Sequence, residues 1–199
     1  DTKIRRGWYG GDSRKVLGFD CSGVVDSIGS SILQYKIGDE VYAMPILGSN
    51  GCYAQYVCVP ESLVSKKPEN LNFAEAAGVP LAAMTAYRAV IANRAFAKGD
   101  RVFVTGLAGG VGSFALQFLK QLGITEIFTI AKDKESADFL QKEMGLQPEN
   151  ILIYGDLSQG DLKEKLISMN QGRLYDATLD LVGGERKRLC KKKKKTSGH

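Results

Sequence analysis

The sequence predicts an α/β fold, a parallel sheet of strands alternating with helices, preceded by a smaller β-rich region. Three observations carry this. Residues 99–184 repeat the order strand, turn, helix, and the first of their strands is a short, nearly continuous apolar run. Residues 1–72 hold strand-like runs broken by glycine, with no helical stripe competing. Residues 73–98 between them are Ala-rich and read as a helical connection, and residues 185–199 form a basic tail.

In the first region, residues 16–25 (VLGFDCSGVV) are apolar and punctuated by glycine. Residues 38–42 (GDEVY) form a turn entering a strand, and 51–60 (GCYAQYVCVP) a strand of mixed alternation closed by proline. Asn72 with Glu75 has the form of a capping box opening a helix over 74–78. Pro80 interrupts, and a second helix is expected over 81–96. Residues 101–105 (RVFVT) are a strand buried on both faces. Val111, Phe114, Ala115, Phe118, Leu119 and Leu122 then fall on one helical stripe, ended by Gly123. Further strands are expected at 126–131, 151–154 and 175–182. Helices are expected at 134–144 and in a segment opened by Asp161 and Glu164, with Leu162, Leu166 and Met169 on its face. This alternation implies right-handed crossovers and parallel strands.

Composition sets the limits. The chain has 199 residues, 44% of them apolar, enough for a real core. Its single histidine is the last residue, His199, which excludes an interior His-based triad or multi-His metal site. No run of 18 apolar residues suggests a membrane-spanning helix. The net charge is +5, but Arg186, Lys187, Arg188 and Lys191 to Lys195 supply eight positive charges, which leaves −3 on everything else. A run of like charges is usually solvated and disordered. Its other reading, salt-sensitive attraction to nucleic acid, comes with no nucleic-acid motif. Cys21, Cys52, Cys58 and Cys190 are too sparse for a disulfide scaffold and make no CxxC pair. Cys52 and Cys58 on one extended strand would be roughly 20 Å apart, beyond disulfide reach. Buried reduced thiols in a cytoplasmic protein are expected. The chain opens at Asp1, with no charged-then-apolar leader in these residues.

The segment richest in chemistry is Val104-Thr105-Gly106-Leu107-Ala108-Gly109-Gly110-Val111-Gly112. A strand ends, a glycine turn follows, and a helix begins at once. Gly109 and Gly110 would let the backbone turn tightly and let a diphosphate approach, and Gly112 would let the helix pack closely. The first amides of the helix, at the positive end of its dipole, would face the phosphates. Plain packing is the alternative use of such a turn. The absence of Lys-Ser or Lys-Thr after these glycines argues against a nucleotide-hydrolysing loop. The end of the second strand decides which dinucleotide is held. There the chain reads Ile130-Ala131-Lys132-Asp133-Lys134, with no acid at the strand tip and two lysines able to neutralise a 2′-phosphate. This favours NADP, while Asp133 keeps NAD open.

Taken together, these segments resemble the medium-chain dehydrogenase/reductase superfamily, in its zinc-free quinone oxidoreductase (zeta-crystallin-like) branch. The resemblance is carried by Asp1-Thr2-Lys3-Ile4-Arg5-Arg6-Gly7, Leu17-Gly18-Phe19-Asp20-Cys21-Ser22-Gly23-Val24-Val25, Lys36-Ile37-Gly38-Asp39-Glu40-Val41-Tyr42 and Gly51-Cys52-Tyr53-Ala54-Gln55-Tyr56-Val57. It continues in Pro80-Leu81-Ala82-Ala83-Met84-Thr85-Ala86-Tyr87, the glycine loop, and Asp180-Leu181-Val182-Gly183-Gly184. The resemblance implies part of a GroES-like β-rich domain before an incomplete Rossmann-type sheet, with NADPH between them. By position, Thr85 resembles the family threonine near the nicotinamide end. Gly106, Ala108, Gly109, Gly110 and Val111 match the diphosphate loop. Lys132 and Tyr154 stand on the 2′-phosphate side, and Leu181 and Val182 on the nicotinamide side. For Tyr154, a strand-end aromatic packed in the core is the other reading.

The departures are informative. Zinc-dependent members carry Gly-His-Glu where this chain has Gly18-Phe19-Asp20, and the four-Cys lobe has no counterpart, so neither zinc nor another metal is expected. A lysine of many NADP-dependent members corresponds to Ser136, and a tyrosine of some quinone reductases to Lys3. The family begins with more β structure before Asp1, and about four of six usual strands are countable here. The resemblance therefore implies a fragment with an exposed sheet edge. Its implied activity is NADPH-dependent hydride transfer to a quinone or α,β-unsaturated carbonyl, with no catalytic acid assigned. Trp8 and Tyr9 are candidate pocket aromatics, and the full-length protein is a candidate homodimer. A non-catalytic dinucleotide-binding protein is the alternative from another class.

Overall fold

The computed structural model describes residues 1–7, 16–45 and 51–183. Trp8, Tyr9, Gly184, Cys190 and the basic tail lie outside them. The chain forms two compact units, dividing between Met84 and Thr85. That division falls inside the Ala-rich helical stretch.

The first unit opens with a short helix α1 (Thr2–Arg5) and holds three strands, β1 (Cys21–Val24), β2 (Glu40–Ala43) and β3 (Val64–Lys66), in one antiparallel sheet of order β1-β2-β3. Cys21 lies opposite Ala43, and Val41 opposite Lys66. Lys67, at the end of β3, has a side chain only 5% exposed, which needs several partners to be tolerable. Its Nζ meets Glu40 Oε2 at 3.0 Å and donates to the carbonyls of Pro68 and Leu71, at 3.1 and 2.6 Å. This pulls the following loop onto the sheet. Helix α2 (Phe73–Ala77) then starts on the expected capping box. The Glu75 N–H donates to Asn72 Oδ1, and the Asn72 N–H to the Glu75 carboxylate, both at 2.9 Å.

Two expectations need correction here. Residues 51–60 are not a strand. Their first three residues bond to residues 16–18, with Gly51, Cys52 and Tyr53 N–H donating to the carbonyls of Val16, Gly18 and Leu17, and no ladder continues beyond them. Tyr53 and Tyr56, counted as apolar in the alternation, are 70% and 74% exposed, so no buried face holds the segment straight. The cysteines are also less buried than expected. Cys58 is exposed, while Cys21 and Cys52 are half-buried, all three as free thiols. Burial, with the Cys21 thiol and Asp20 carboxylate nearby, pushes Cys52 up to about 12.

Helix α3 (Pro80–Tyr87) is followed by a single π-type turn, Arg88–Ala92, so the helical stretch ends short of the expected residue 96. The second unit then runs β4 (Arg101–Thr105), α4 (Gly110–Gln121), β5 (Glu126–Ala131), α5 (Lys134–Lys142), β6 (Ile151–Ile153), α6 (Gln159–Met169) and β7 (Ala177–Asp180). All four strands are parallel, in the order β6-β5-β4-β7. From β4 the chain winds outward to β6, then returns past its starting point to β7. Right-handed crossovers in opposite directions must place their helices on opposite faces, and the core divides accordingly. Val102, Val104 and Ile127 pack with Ala115, Leu116 and Leu119 of α4 and Leu140 of α5. Phe103, Phe128 and Ile130 pack with Leu162 and Leu166 of α6. The buried stripe of α4 is centred on Ala115, Leu116 and Leu119, with Phe114 and Phe118 at its margin. Helix α6 begins two residues before Asp161 because Ser158 is its cap, its hydroxyl accepting the Asp161 N–H at 3.2 Å.

Candidate dinucleotide site

The reversal of winding at β4 leaves a crevice at the carboxyl ends of the strands, the usual ligand position in open α/β sheets. The glycine turn opens there. Gly106, directly after β4, takes φ +77, a left-handed conformation that a side chain would resist. The tight bend thus belongs to Gly106, whereas Gly109 is extended at φ −85 and serves as the cap residue of α4. No side chain bonds to the first-turn amides of α4, leaving them available to an anion. Gly112 permits the close approach. A Cβ there would lie 2.1 Å from the Gly106 carbonyl oxygen and 2.5 Å from Leu107 Cα, so the turn itself, rather than the strand, is what the helix presses against.

The cleft above this turn has a volume of about 150 Å³ and is lined by Thr105, Gly106, Ala108, Gly109, Ile130, Lys132, Ser136, Tyr154 and Val182. Six residues predicted from sequence therefore share one cavity: Gly106, Ala108, Gly109, Lys132, Tyr154 and Val182. Val182 leans over Gly106, where an added Cβ would meet its Cγ2 at 2.9 Å, while Ala108 and Gly109 keep the floor open. Tyr154 packs against the Phe103 and Phe128 cluster and also lines the cleft.

The other four predicted residues lie apart from the lining. Gly110 is the first residue of α4. Val111 and Leu181 pack against the buried core, so their side chains point away from a ligand. Thr85 sits exposed on α3. Sequence reasoning passed over Thr105, Ile130 and Ser136, and also Asp180. The available signal was a polar residue at the carboxyl end of each of two strands, and the register places Thr105 opposite Asp180.

Asp133, the acid just beyond the tip of β5, has a structural use. It is the cap of α5, its Oδ1 accepting the Ser136 N–H at 2.9 Å and the Ser136 hydroxyl at 2.7 Å. Those bonds to Ser136 hold its carboxyl below the ordinary value. The one acid near the tip of β5 is therefore committed to a helix, and Lys132 is the charged residue facing the cleft. A glycine floor without Cβ atoms, uncapped amides and one cation fit a phosphorylated ligand. Among the described residues, no three His, Cys, Asp or Glu side chains gather in a way that would hold a metal ion. No described helix is long and apolar enough to cross a membrane.

Comparison with known proteins accords with this geometry. Residues 1–69 match the alcohol dehydrogenase GroES-like domain. A highly reducing polyketide synthase of Emericella nidulans is 31% identical over 85% of this chain, which covers 6% of that protein. The chloroplastic NADPH-dependent alkenal/one oxidoreductase of Arabidopsis thaliana is 33% identical over 92% of the chain and 46% of the relative. Among solved structures, the quinone oxidoreductase from Coxiella burnetii superposes with a TM-score of 0.75 at 32% identity, over 96% of this chain and 57% of the other. The chain spans less than half the length of each of these two curated relatives. With this match at its start, a parallel sheet turning on glycine behind it and such relatives along its length, residues 1–69 belong to the alcohol dehydrogenase GroES-like domain family and the chain as a whole is similar to oxidoreductases of the medium-chain dehydrogenase/reductase superfamily.

Proposed function

We propose that this cleft takes the phosphate-bearing end of NADPH, and that the whole protein reduces a quinone or an α,β-unsaturated carbonyl. The observation that carries the cofactor choice is the pairing of Lys132 in the cleft with an Asp133 already spent on capping α5. A ribose 2′-hydroxyl would find no free carboxylate there, whereas a 2′-phosphate would find an ammonium group and the Ser136 and Tyr154 side chains. At about 150 Å³ the cleft is smaller than whole-ligand pockets, roughly 300–1,000 Å³, so it suits a phosphate and ribose rather than the entire dinucleotide. Gly106, Ala108 and Gly109 would admit the diphosphate to the amides at the start of α4. When bound, the cofactor supplies the hydride, and the protein contributes position and electrostatics.

The substrate class rests on the relatives, whose names specify alkenal/one and quinone reduction. The Cys21, Cys52 and Cys58 thiols suit a reducing compartment, and we assign the cytoplasm, although the Arabidopsis relative is chloroplastic by name. The test is fluorescence titration with NADPH and NADH beside a turnover assay with a quinone and an enone on the full-length protein. Tight NADPH binding with turnover is the expected result. Binding without turnover would leave a dinucleotide-binding protein with no reductase activity.

A further inference from the structure

Resting on the dinucleotide reading above, we propose that Thr105 and Asp180 are positioning residues, which hold the turn after β7 so that Val182 forms a fixed wall of the cleft. Three donors converge on one oxygen. Asp180 Oδ1 accepts the Thr105 hydroxyl at 2.7 Å, the Gly183 N–H at 3.0 Å and the Val182 N–H at 3.2 Å. Thr105 Oγ1 in turn accepts the Leu181 N–H at 3.2 Å. The tips of β4 and β7 and the three residues after β7 are thereby knotted through two side chains. Thr105 is fully buried, and its hydroxyl is used both as donor and as acceptor.

Electrostatics gives this arrangement its meaning. A carboxylate beside an anion-binding cleft repels the intended ligand unless its charge is directed elsewhere. Here three donors draw that charge toward the turn. What the knot holds is functional surface, since Val182 lines the cleft and covers Gly106. Loosening it would move the Val182 wall while leaving Lys132 and Tyr154, on other strands, in place. The effect should then depend on which part of the ligand is present.

The experiment compares two ligands, NADPH and adenosine 2′,5′-bisphosphate, which keeps the 2′-phosphate end with one phosphate of the diphosphate and lacks the nicotinamide half. In the full-length protein, Asp180→Ala is expected to weaken NADPH binding about tenfold and the bisphosphate by less than about twofold. Asp180→Asn keeps an acceptor oxygen and is expected to stay within about twofold of wild type for both. Thr105→Val should reproduce the selective loss and Thr105→Ser restore binding, which keeps the test decisive if Asp180→Ala does not fold. Equal weakening of both ligands, or unchanged NADPH affinity in Asp180→Ala and Thr105→Val, would overturn the positioning role alone. If the wild type binds neither ligand, the dinucleotide reading fails and the positioning role with it.

Discussion

Single side chains decide the chemistry at the end of β5. Lys132 and Asp133 are neighbours in sequence, yet one faces the cleft and the other closes a helix. Lys132→Ala is expected to weaken NADPH binding by about tenfold or more while leaving NADH nearly unchanged. Asp133→Asn, which retains a capping oxygen, should leave the preference between the two cofactors as it was. Parallel titrations of both variants check this. The cysteines offer a second residue-scale prediction. With its thiol pushed up to about 12, Cys52 presents almost no thiolate at neutral pH, whereas Cys58 is exposed. Alkylation at pH 7.5 followed by peptide mapping should label Cys58 at least about tenfold faster than Cys52. What sequence conveyed at this scale was residue type; what it could not convey was which oxygen already had a partner. Asp133 kept NAD open in the sequence, where its two bonds to Ser136 are not legible.

At the scale of elements, helix starts depend on a few side chains. Asn72→Ala removes one half of the α2 capping box and is expected to lower stability by about 1 kcal/mol, measured by urea denaturation. Helix α3 is held differently, from across the unit, where Asp20 Oδ1 accepts the Leu81 N–H at 2.6 Å. Burial raises the Asp20 carboxyl above its ordinary 3.8, and the Leu81 bond offsets part of that rise. A carboxyl raised on folding stabilises most below 3.8, and that contribution fades as pH climbs through the raised value. Asp20→Asn keeps the acceptor and should flatten this pH dependence, with no loss of stability at pH 7. Asp20→Ala should lose about 1 kcal/mol there. Elements were legible where physics is local. The strands at 101–105 and 126–131 were readable as continuous apolar runs, and the capping box from two residues. The 51–60 segment was misread because a tyrosine counts as apolar in a pattern even when its ring faces water. The start of α6 was misplaced because serine at a cap is a weaker signal than the acids that follow it.

Across the second unit, binding and stability occupy opposite ends of the sheet. The cleft sits at the carboxyl ends, while the amino ends are tied by Arg101. Its Nε donates to Asn170 Oδ1 at 2.6 Å, its NH1 lies 3.3 Å from Glu126 Oε2, and its guanidinium rests 5.0 Å from the Phe128 ring centroid. Asn170 is fully buried and passes the network on to the Arg173 carbonyl at 2.9 Å. Tyr175 stacks on Phe103 at 5.1 Å, its hydroxyl pushed up to about 12 by burial. Asn170→Leu would leave Arg101 Nε and the Arg173 carbonyl without these partners, and is expected to lower stability by about 2–3 kcal/mol. Its dinucleotide Kd, measured well below the melting temperature, should stay within about twofold of wild type. The α/β class and the parallel order were readable from alternation, because a crossover of fixed hand follows from chirality. The return of β7 to the far side of β4 was not, since nothing local records which edge a distant strand will join.

That return has a consequence for synthesis. Among the described strands of this sheet, β4 is the first to leave the ribosome, and Val102 meets its β7 neighbour, Ala177, only after another 75 residues have been made. Until then one side of β4 carries bare amides and carbonyls, and an arrest of translation in that interval would release a chain with an open edge in its middle. Closure of that side of β4 is therefore timed by β7, and chaperone capture should fall once residue 180 has cleared the exit tunnel.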